Sequence, residues 1–133
     1  MGYSFYQYFA FFTEGSDASL EALQQKLEQS YAGLGRQPEI TLNGEQLVLR
    51  FGTYHIKVDL NREDYVQEEA QEVGDHFLHN WKEEPLNIEL LKTCKQRFEV
   101  AGEEDYEMNY FNDSIYVVEA IDSFSNTEIL NVG

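Results

Sequence analysis

Alternation of apolar and polar residues over positions 38–61 constrains the fold more than any other part of this 133-residue chain. The alternation is interrupted by Asn43-Gly44 and again by Gly52. An Asn-Gly pair between alternating runs favours a tight hairpin because both residues tolerate positive φ. The segment is therefore predicted to form a three-stranded antiparallel meander. The polar positions expected on the solvent face of its last strand are His55, Lys57 and Asp59.

Helical spacing of apolar residues precedes and follows the meander. It predicts an amphipathic helix over about 17–32, with Ser16 or Asp17 as the N-cap. The same spacing predicts a second helix over 62–81, whose apolar stripe ends at Trp81. Pro85 can begin a third, short helix that turns Cys94 inward.

Three other segments have the composition of strands. Residues 3–13 are almost continuously aromatic or apolar, which suits a strand that is covered on both faces. The other two strands are expected over 97–101 and 127–132. Residues 115–124 fit either element, since their β-branched side chains favour a strand, whereas cap residues at 112–114 and a one-sided apolar cluster favour a helix. We expect the helix, with the strand as the alternative.

The resulting order, β-α-βββ-α-α-β-α-β, predicts a single α+β domain over residues 1–133. We expect a mostly antiparallel sheet of about five to six strands, with two or three helices packed on one side. The length is close to the usual size of one domain. A hydrophobic fraction of 42% excludes an intrinsically disordered chain despite the high charge.

The chain is strongly acidic, with 25 Asp and Glu residues against 9 Lys and Arg residues and a formal charge of −16. Phosphate backbones and anionic lipids are bound through basic patches, so nucleic acid and membrane surfaces are not expected as partners. Cys94 is the single cysteine, which excludes an intramolecular disulfide and a cysteine-based zinc site built by this chain alone. The first basic residue is Lys26, so we expect no secretory signal and a cytoplasmic protein.

The acidic residues concentrate in the second predicted helix and in the last third of the chain, where no Lys or Arg follows Arg97. Aromatic residues are interleaved with acids over 103–113. Rings that supply buried area beside carboxylates that supply steering are typical of a surface that docks a basic partner. Alternatively, the rings tuck into the core and the acids only keep the protein soluble. The predicted partner-binding residues are Glu68, Glu72, Asp75, Glu103, Glu104, Asp105, Tyr106, Glu107, Tyr110 and Asp113.

A metal site on the second predicted helix is an alternative function. Four side chains at helical spacing could converge on one surface, and carboxylates with imidazoles are suitable ligands for divalent transition metals. The competing interpretation is a solvated acidic helix face, since neither HExxH nor a paired ExxH pattern occurs. The candidate ligands are Glu72, Asp75, His76 and His79. No cofactor is predicted.

Sequence motifs of hydrolases and nucleotide-binding enzymes are absent, because no GxSxG, GxGxxG or GxxxxGK[ST] occurs. Cys94 could act as a nucleophile only if a helix terminus or a nearby cation (Lys92, Lys95 or Arg97) lowered its pKa and a histidine lay close in space. A buried apolar role is the simpler interpretation. No catalytic residue is predicted, and an enzyme is less expected than a binding protein. A third function is a small-ligand domain, with a pocket between sheet and helices lined by some of the nine Tyr and nine Phe residues.

We therefore expect an acidic module that neutralises or regulates a basic protein partner, with homo-oligomerisation left open by the aromatic excess. In size, acidity, α+β order and lack of catalytic motifs, the chain resembles bacterial immunity and antitoxin proteins in type, without sharing a specific motif with them. The resemblance implies a small acidic domain that masks the basic surface of a nuclease or toxin.

Overall fold

A computed structural model describes residues 4–133, which form six strands and four helices in the predicted order. The strands are β1 (Phe5–Phe12), β2 (Glu39–Asn43), β3 (Gln46–Phe51), β4 (Tyr54–Asn61), β5 (Gln96–Gly102) and β6 (Thr127–Asn131). The helices are α1 (Leu20–Tyr31), α2 (Asp64–His76), α3 (Ile88–Leu91) and α4 (Phe111–Asp122). The α+β class is confirmed. Tyr3, where the first strand was predicted to begin, lies outside the described residues.

The strands form one sheet in the order β2-β3-β4-β5-β1-β6, and all neighbouring strands are antiparallel. The predicted meander is confirmed as β2-β3-β4. Its first turn is made by Gly44 and Glu45, one residue later than predicted, because Asn43 still pairs with Gln46. Gly44 has a φ of 64°, which a glycine adopts without the steric cost that a side chain would add. Strand β5 joins the meander to β1.

One face of the sheet carries the larger hydrophobic core. Helices α1 and α4 pack there through buried side chains that include Leu23, Leu27 and Ile121. From the strands, Ile56 and Phe98 belong to the same core. Burying a side chain of this size contributes about 1.5–3 kcal/mol. This face therefore supplies much of the driving force for folding.

The opposite face is covered by α2 and α3 over β1, β5 and β6. Val66, Ala70 and Leu91 form a second core there with Phe11 and Leu130. The helices thus lie on both faces of the sheet, and the prediction of helices on one side is wrong in this respect. The reason lies in β1, whose nearly unbroken apolar composition provides a buried side chain on each face.

Helix α1 begins later than predicted because Ser19, and not Ser16 or Asp17, is its N-cap. The Ser19 hydroxyl accepts the Ala22 N–H at 3.0 Å. Asp17 instead accepts hydrogen bonds from the Ser125 N–H at 2.8 Å and hydroxyl at 3.0 Å. These bonds lower the pKa of the Asp17 carboxyl. They also attach the segment before α1 to the turn that follows α4.

Helix α2 ends at His76, well before the predicted end at Trp81. Phe77 is extended, with a φ of −128°, and segment 77–87 then passes along the outer edge of β6. There the Trp81 N–H donates to the Ile129 carbonyl at 2.9 Å. Outside the helix, the segment thus pairs a backbone carbonyl that an edge strand would otherwise leave open.

Segment 77–87 is also held by Glu128, a buried carboxylate on β6. Glu128 accepts the Asn80 side-chain amide at 3.0 Å and the Asn87 N–H at 2.7 Å. Asn87 is in turn the N-cap of α3, which begins at Ile88 rather than at Pro85. A single charged acceptor thus fixes two points of the loop.

The ambiguous segment near the C-terminus is helical, as expected, and forms α4. The helix begins at Phe111, before the predicted cap residues at 112–114. Tyr110 occupies the N-cap position without a side-chain capping bond. The preceding turn is held from outside the helix, by the side chain of Asp105.

Candidate functional site

Segment 103–113 runs from the end of β5 into the first turn of α4 and contains most of the predicted partner-binding residues. Its conformation depends on Asp105, which is only 7% exposed. The Asp105 carboxylate accepts hydrogen bonds from the Tyr6 hydroxyl at 2.7 Å, the Asn109 N–H at 3.0 Å and the Tyr110 N–H at 2.7 Å. These bonds close the turn and attach it to β1. Asp105 is therefore an internal acceptor, which corrects its predicted place on the docking surface.

Asp113 is likewise buried, with 3% exposure. It accepts the Tyr31 hydroxyl at 2.6 Å and lies 3.2 Å from the Arg36 guanidinium. Burial, followed by the hydrogen bond to Asp113, raises the pKa of Tyr31 well above its usual value, so Tyr31 stays a donor. Asp113 thus joins α4 to the end of α1. It too is removed from the predicted docking surface, because its oxygens are occupied inside the protein.

Tyr110 is partly buried and acts in packing. Its ring is stacked on that of Tyr54, with centroids 3.9 Å apart and an angle of 3° between the planes. The Arg36 guanidinium lies 4.5 Å from the Tyr110 centroid, a distance at which a cation is attracted to the ring face. The Tyr54 hydroxyl donates to the Glu103 carbonyl at 2.8 Å. For Tyr110, then, the alternative of a ring tucked into the protein is correct.

Three large side chains of the same segment remain exposed and form what we call the apolar platform: Tyr106 (70% exposed), Met108 (59%) and Phe111 (38%). Tyr106 meets Phe5 edge to face with centroids 5.0 Å apart, and Phe111 meets Tyr6 at 6.1 Å. The platform therefore rests on the first residues of β1. Met108 and Phe111 were not predicted as site residues, because the alternation with acids indicates an interface but not which side chains face solvent.

Three exposed acids, Glu103, Glu104 and Glu107, belong to the same segment. Glu103 accepts the His55 N–H at 2.6 Å, and the same carboxylate oxygen lies 3.0 Å from His55 Nδ1. The segment that carries the platform therefore also carries exposed carboxylates.

A pocket of about 600 Å³ adjoins the segment on the β4 side. Its walls include the Tyr54 and Tyr110 side chains. Lys57 and His55 place basic groups there beside Glu103. The mixed charge distinguishes this pocket from the predicted aromatic ligand pocket.

On α2, the predicted docking acids Glu68, Glu72 and Asp75 are all exposed and form a second acidic surface. His76 is the last residue of the helix, and His79 lies beyond it in an isolated β-bridge. The four candidate metal ligands therefore do not share one helix face. In the described part of the chain, no group of three or more His, Cys, Asp and Glu residues is placed to hold a metal ion.

Cys94 is buried, and burial raises its pKa to about 12. Because the thiolate is the nucleophilic form, this environment does not activate the residue. Arg97, one of the cations that could have lowered the pKa, is instead engaged by Glu69 at 2.6 Å and Glu99 at 2.8 Å. Cys94 packs in the second core as a small apolar side chain.

Comparison of the chain with protein-family models, curated proteins and solved structures found no match. Among residues 4–133, no helix is both long and apolar enough to cross a membrane. Fold and surface together define a small acidic α+β protein with an exposed apolar platform beside carboxylates. A functional assignment therefore depends on the geometry of segment 103–113 and of α2.

Proposed function

We propose that this protein binds a basic protein partner and thereby neutralises or regulates it. The observation that carries the proposal is the apolar platform, which is exposed although the segment bearing it is held by internal hydrogen bonds. Exposed apolar residues are ordinary when they are single, but a group of them beside carboxylates is typical of an interface with a basic protein.

The platform is ordered before any partner binds. Asp105 fixes the backbone on one side of Met108, which is held at a φ of 60°. That left-handed conformation costs a non-glycine residue roughly 1–2 kcal/mol, so the surrounding bonds must maintain it. Tyr106 and Phe111 already rest on rings of β1. Since ordering a free side chain costs about 0.5–1.5 kcal/mol on binding, this arrangement favours affinity.

The acids and the rings have different roles in the proposed complex. An exposed ion pair contributes at most about 1 kcal/mol, whereas long-range steering can raise an association rate by factors of about 10 to 1,000. Glu103, Glu104 and Glu107, together with the acidic surface of α2, therefore act mainly on the association rate. The platform rings, once buried by a partner, act mainly on the lifetime of the complex.

Affinity capture at about 50 mM and about 200 mM salt tests the proposal, because charge steering weakens as ions screen it. The wild type is compared with Tyr106→Ala/Met108→Ala and with Leu34→Ala, a matched exposed residue outside the platform. We expect the wild type and the control to retain a basic protein that the platform variant loses. The purified partner should then associate more slowly as salt rises. Equal retention by the platform variant, or salt-insensitive association, would contradict the proposal.

We also propose, from the resemblance in type to immunity and antitoxin proteins, that the partner is a nuclease or toxin with a basic surface and that both act in the cytoplasm. The charge of −16 and the single, buried cysteine support this extension. Masking predicts stoichiometric inhibition of the captured partner. A partner that stays fully active in the saturated complex would rule it out.

A further inference from the structure

A groove of about 320 Å³ lies between α2 and strands β1 and β6, and none of its lining residues belongs to segment 103–113. Phe11 and Leu130 form its buried floor, while Phe9, Phe77 and Val132 are partly exposed along it. Small-molecule sites usually measure about 300–1,000 Å³, and a dry cavity of about 150 Å³ can hold benzene. The groove therefore has room for one aromatic ring with a short chain.

The charged side chains along the groove differ in whether they already have an ion-pair partner. Arg97, which is 3% exposed, lies over the Phe9 ring at 3.8 Å and is paired with both Glu69 and Glu99. Its positive charge is thus already matched by two carboxylates. Glu72 and, one helical turn further along α2, His76 also line the groove; both are exposed, and neither forms an ion pair within residues 4–133. An incoming cation would find an uncompensated carboxylate there, whereas an incoming anion would find only the imidazole of His76.

We propose that this groove binds a small organic cation, a primary ammonium joined to an apolar body about the size of one aromatic ring. The apolar body lies against Phe9, Phe77 and Val132, and the ammonium pairs with Glu72. A neutral molecule of the same shape gains the apolar contact but not the charge pairing. An anion faces the carboxylates of Glu69 and Glu72 and finds the guanidinium occupied. This site is separate from the apolar platform and shares only Glu72 with the acidic surface of α2, and small-cation binding there is measured without the proposed partner.

Phenethylammonium is the probe, with phenethyl alcohol and 3-phenylpropionate as its neutral and anionic counterparts. An NMR titration of the full chain follows the methyl groups of Val73, Leu130 and Val132, which line the groove. We expect saturable shifts of these methyl groups with the ammonium. The alcohol should bind about fivefold more weakly, the factor that corresponds to one exposed ion pair of about 1 kcal/mol. The anion should cause no saturable shift.

Three variants separate charge from shape. Glu72→Gln should weaken the ammonium about fivefold, to the level of the alcohol, and leave the alcohol unchanged. Glu68→Gln, on the same helix but outside the groove, should change neither. Val132→Phe should fill the groove and abolish the shifts at Leu130, with thermal unfolding as the check that the chain is folded. Equal binding of ammonium and alcohol, an unaffected Glu72→Gln, or shifts that never saturate would overturn the proposal.

Discussion

Replacing Asp105 by Ala tests whether one buried carboxylate holds segment 103–113. The substitution removes the acceptor of three hydrogen bonds, donated by Tyr6, Asn109 and Tyr110 at 2.7–3.0 Å. Each bond to a charged group contributes about 1.5–3 kcal/mol, but the three losses overlap because water reaches the freed donors once the turn opens. We expect the free energy of unfolding to fall by about 3–5 kcal/mol, a large part of the about 5–15 kcal/mol typical of a domain.

Urea denaturation followed by the fluorescence of Trp81, the single tryptophan, measures this change. Glu107→Ala is the matched control, because Glu107 is an exposed acid of the same segment, and its stability should stay within about 0.5 kcal/mol of the wild type. Hydrogen exchange of the Asn109 and Tyr110 amides should accelerate most in Asp105→Ala. If both variants unfold at the same urea concentration, Asp105 does not hold the segment, and the ordered platform loses its basis.

Other predictions concern the core and its protonation. Cys94 should resist a thiol reagent in the native protein and react fully in denaturant, because burial raises its pKa to about 12, and fast native labelling would refute this. The fold should lose stability above about pH 10, because burial raises the pKa of Tyr31 and Tyr54 above that of unfolded tyrosine and only the unfolded chain then releases these protons. Unfolding measured against pH should show a shallower alkaline decline in Tyr54→Phe than in the wild type. Gly102→Ala should lower stability by about 1–3 kcal/mol in thermal unfolding, since its Cβ would lie 2.7 Å from the Tyr54 hydroxyl, whereas Gly35→Ala has open space and should be nearly neutral.

The repeating elements could be predicted because their signals are local. Alternation around Asn43-Gly44 and the leucine spacing of α1 each reflect the geometry of a single element. Residues 115–124 have β-branched side chains that favour a strand, but their one-sided apolar cluster correctly predicted the helix α4. The element order follows from these signals without any knowledge of tertiary contacts.

The boundaries that could not be predicted depend on contacts between distant parts of the chain. The apolar stripe of α2 continues to Trp81, but the helix ends at His76, and the Trp81 N–H is instead bonded to the edge strand β6. The apolar composition of β1 indicated coverage on both faces, but it could not show that the covering helices divide between those faces. The residues of α2 do not show that the edge of β6 lies beside the segment that follows the helix.

The candidate site was predicted as a segment but not residue by residue. Asp105 and Glu107 are acids two positions apart, and nothing in the local sequence distinguishes them. They differ in the structure because Asp105 accepts a hydrogen bond from the Tyr6 hydroxyl. Tyr6 is 99 residues away in sequence. Asp113 is similarly set apart by Tyr31, 82 residues away. Because the segment contains many acids, the sequence does not show which of them is buried against a distant partner.

The acidic residues therefore occupy two different environments in this fold. Asp105, Asp113 and Glu128 are buried, and each accepts hydrogen bonds from a distant element that it holds in place. Exposed acids such as Glu68 and Glu107 contribute little to stability, since isolated surface charges rarely change it by more than about 0.5 kcal/mol. Neutralising the exposed acids should leave unfolding unchanged and, if the protein binds a basic partner as proposed, should slow that association. Neutralising the buried acids should lower the stability of the fold, and at Asp105 it should also release the platform segment. The net charge of −16 does not show which carboxylates are buried and which are exposed. The hydrogen-bond partners of each carboxylate do.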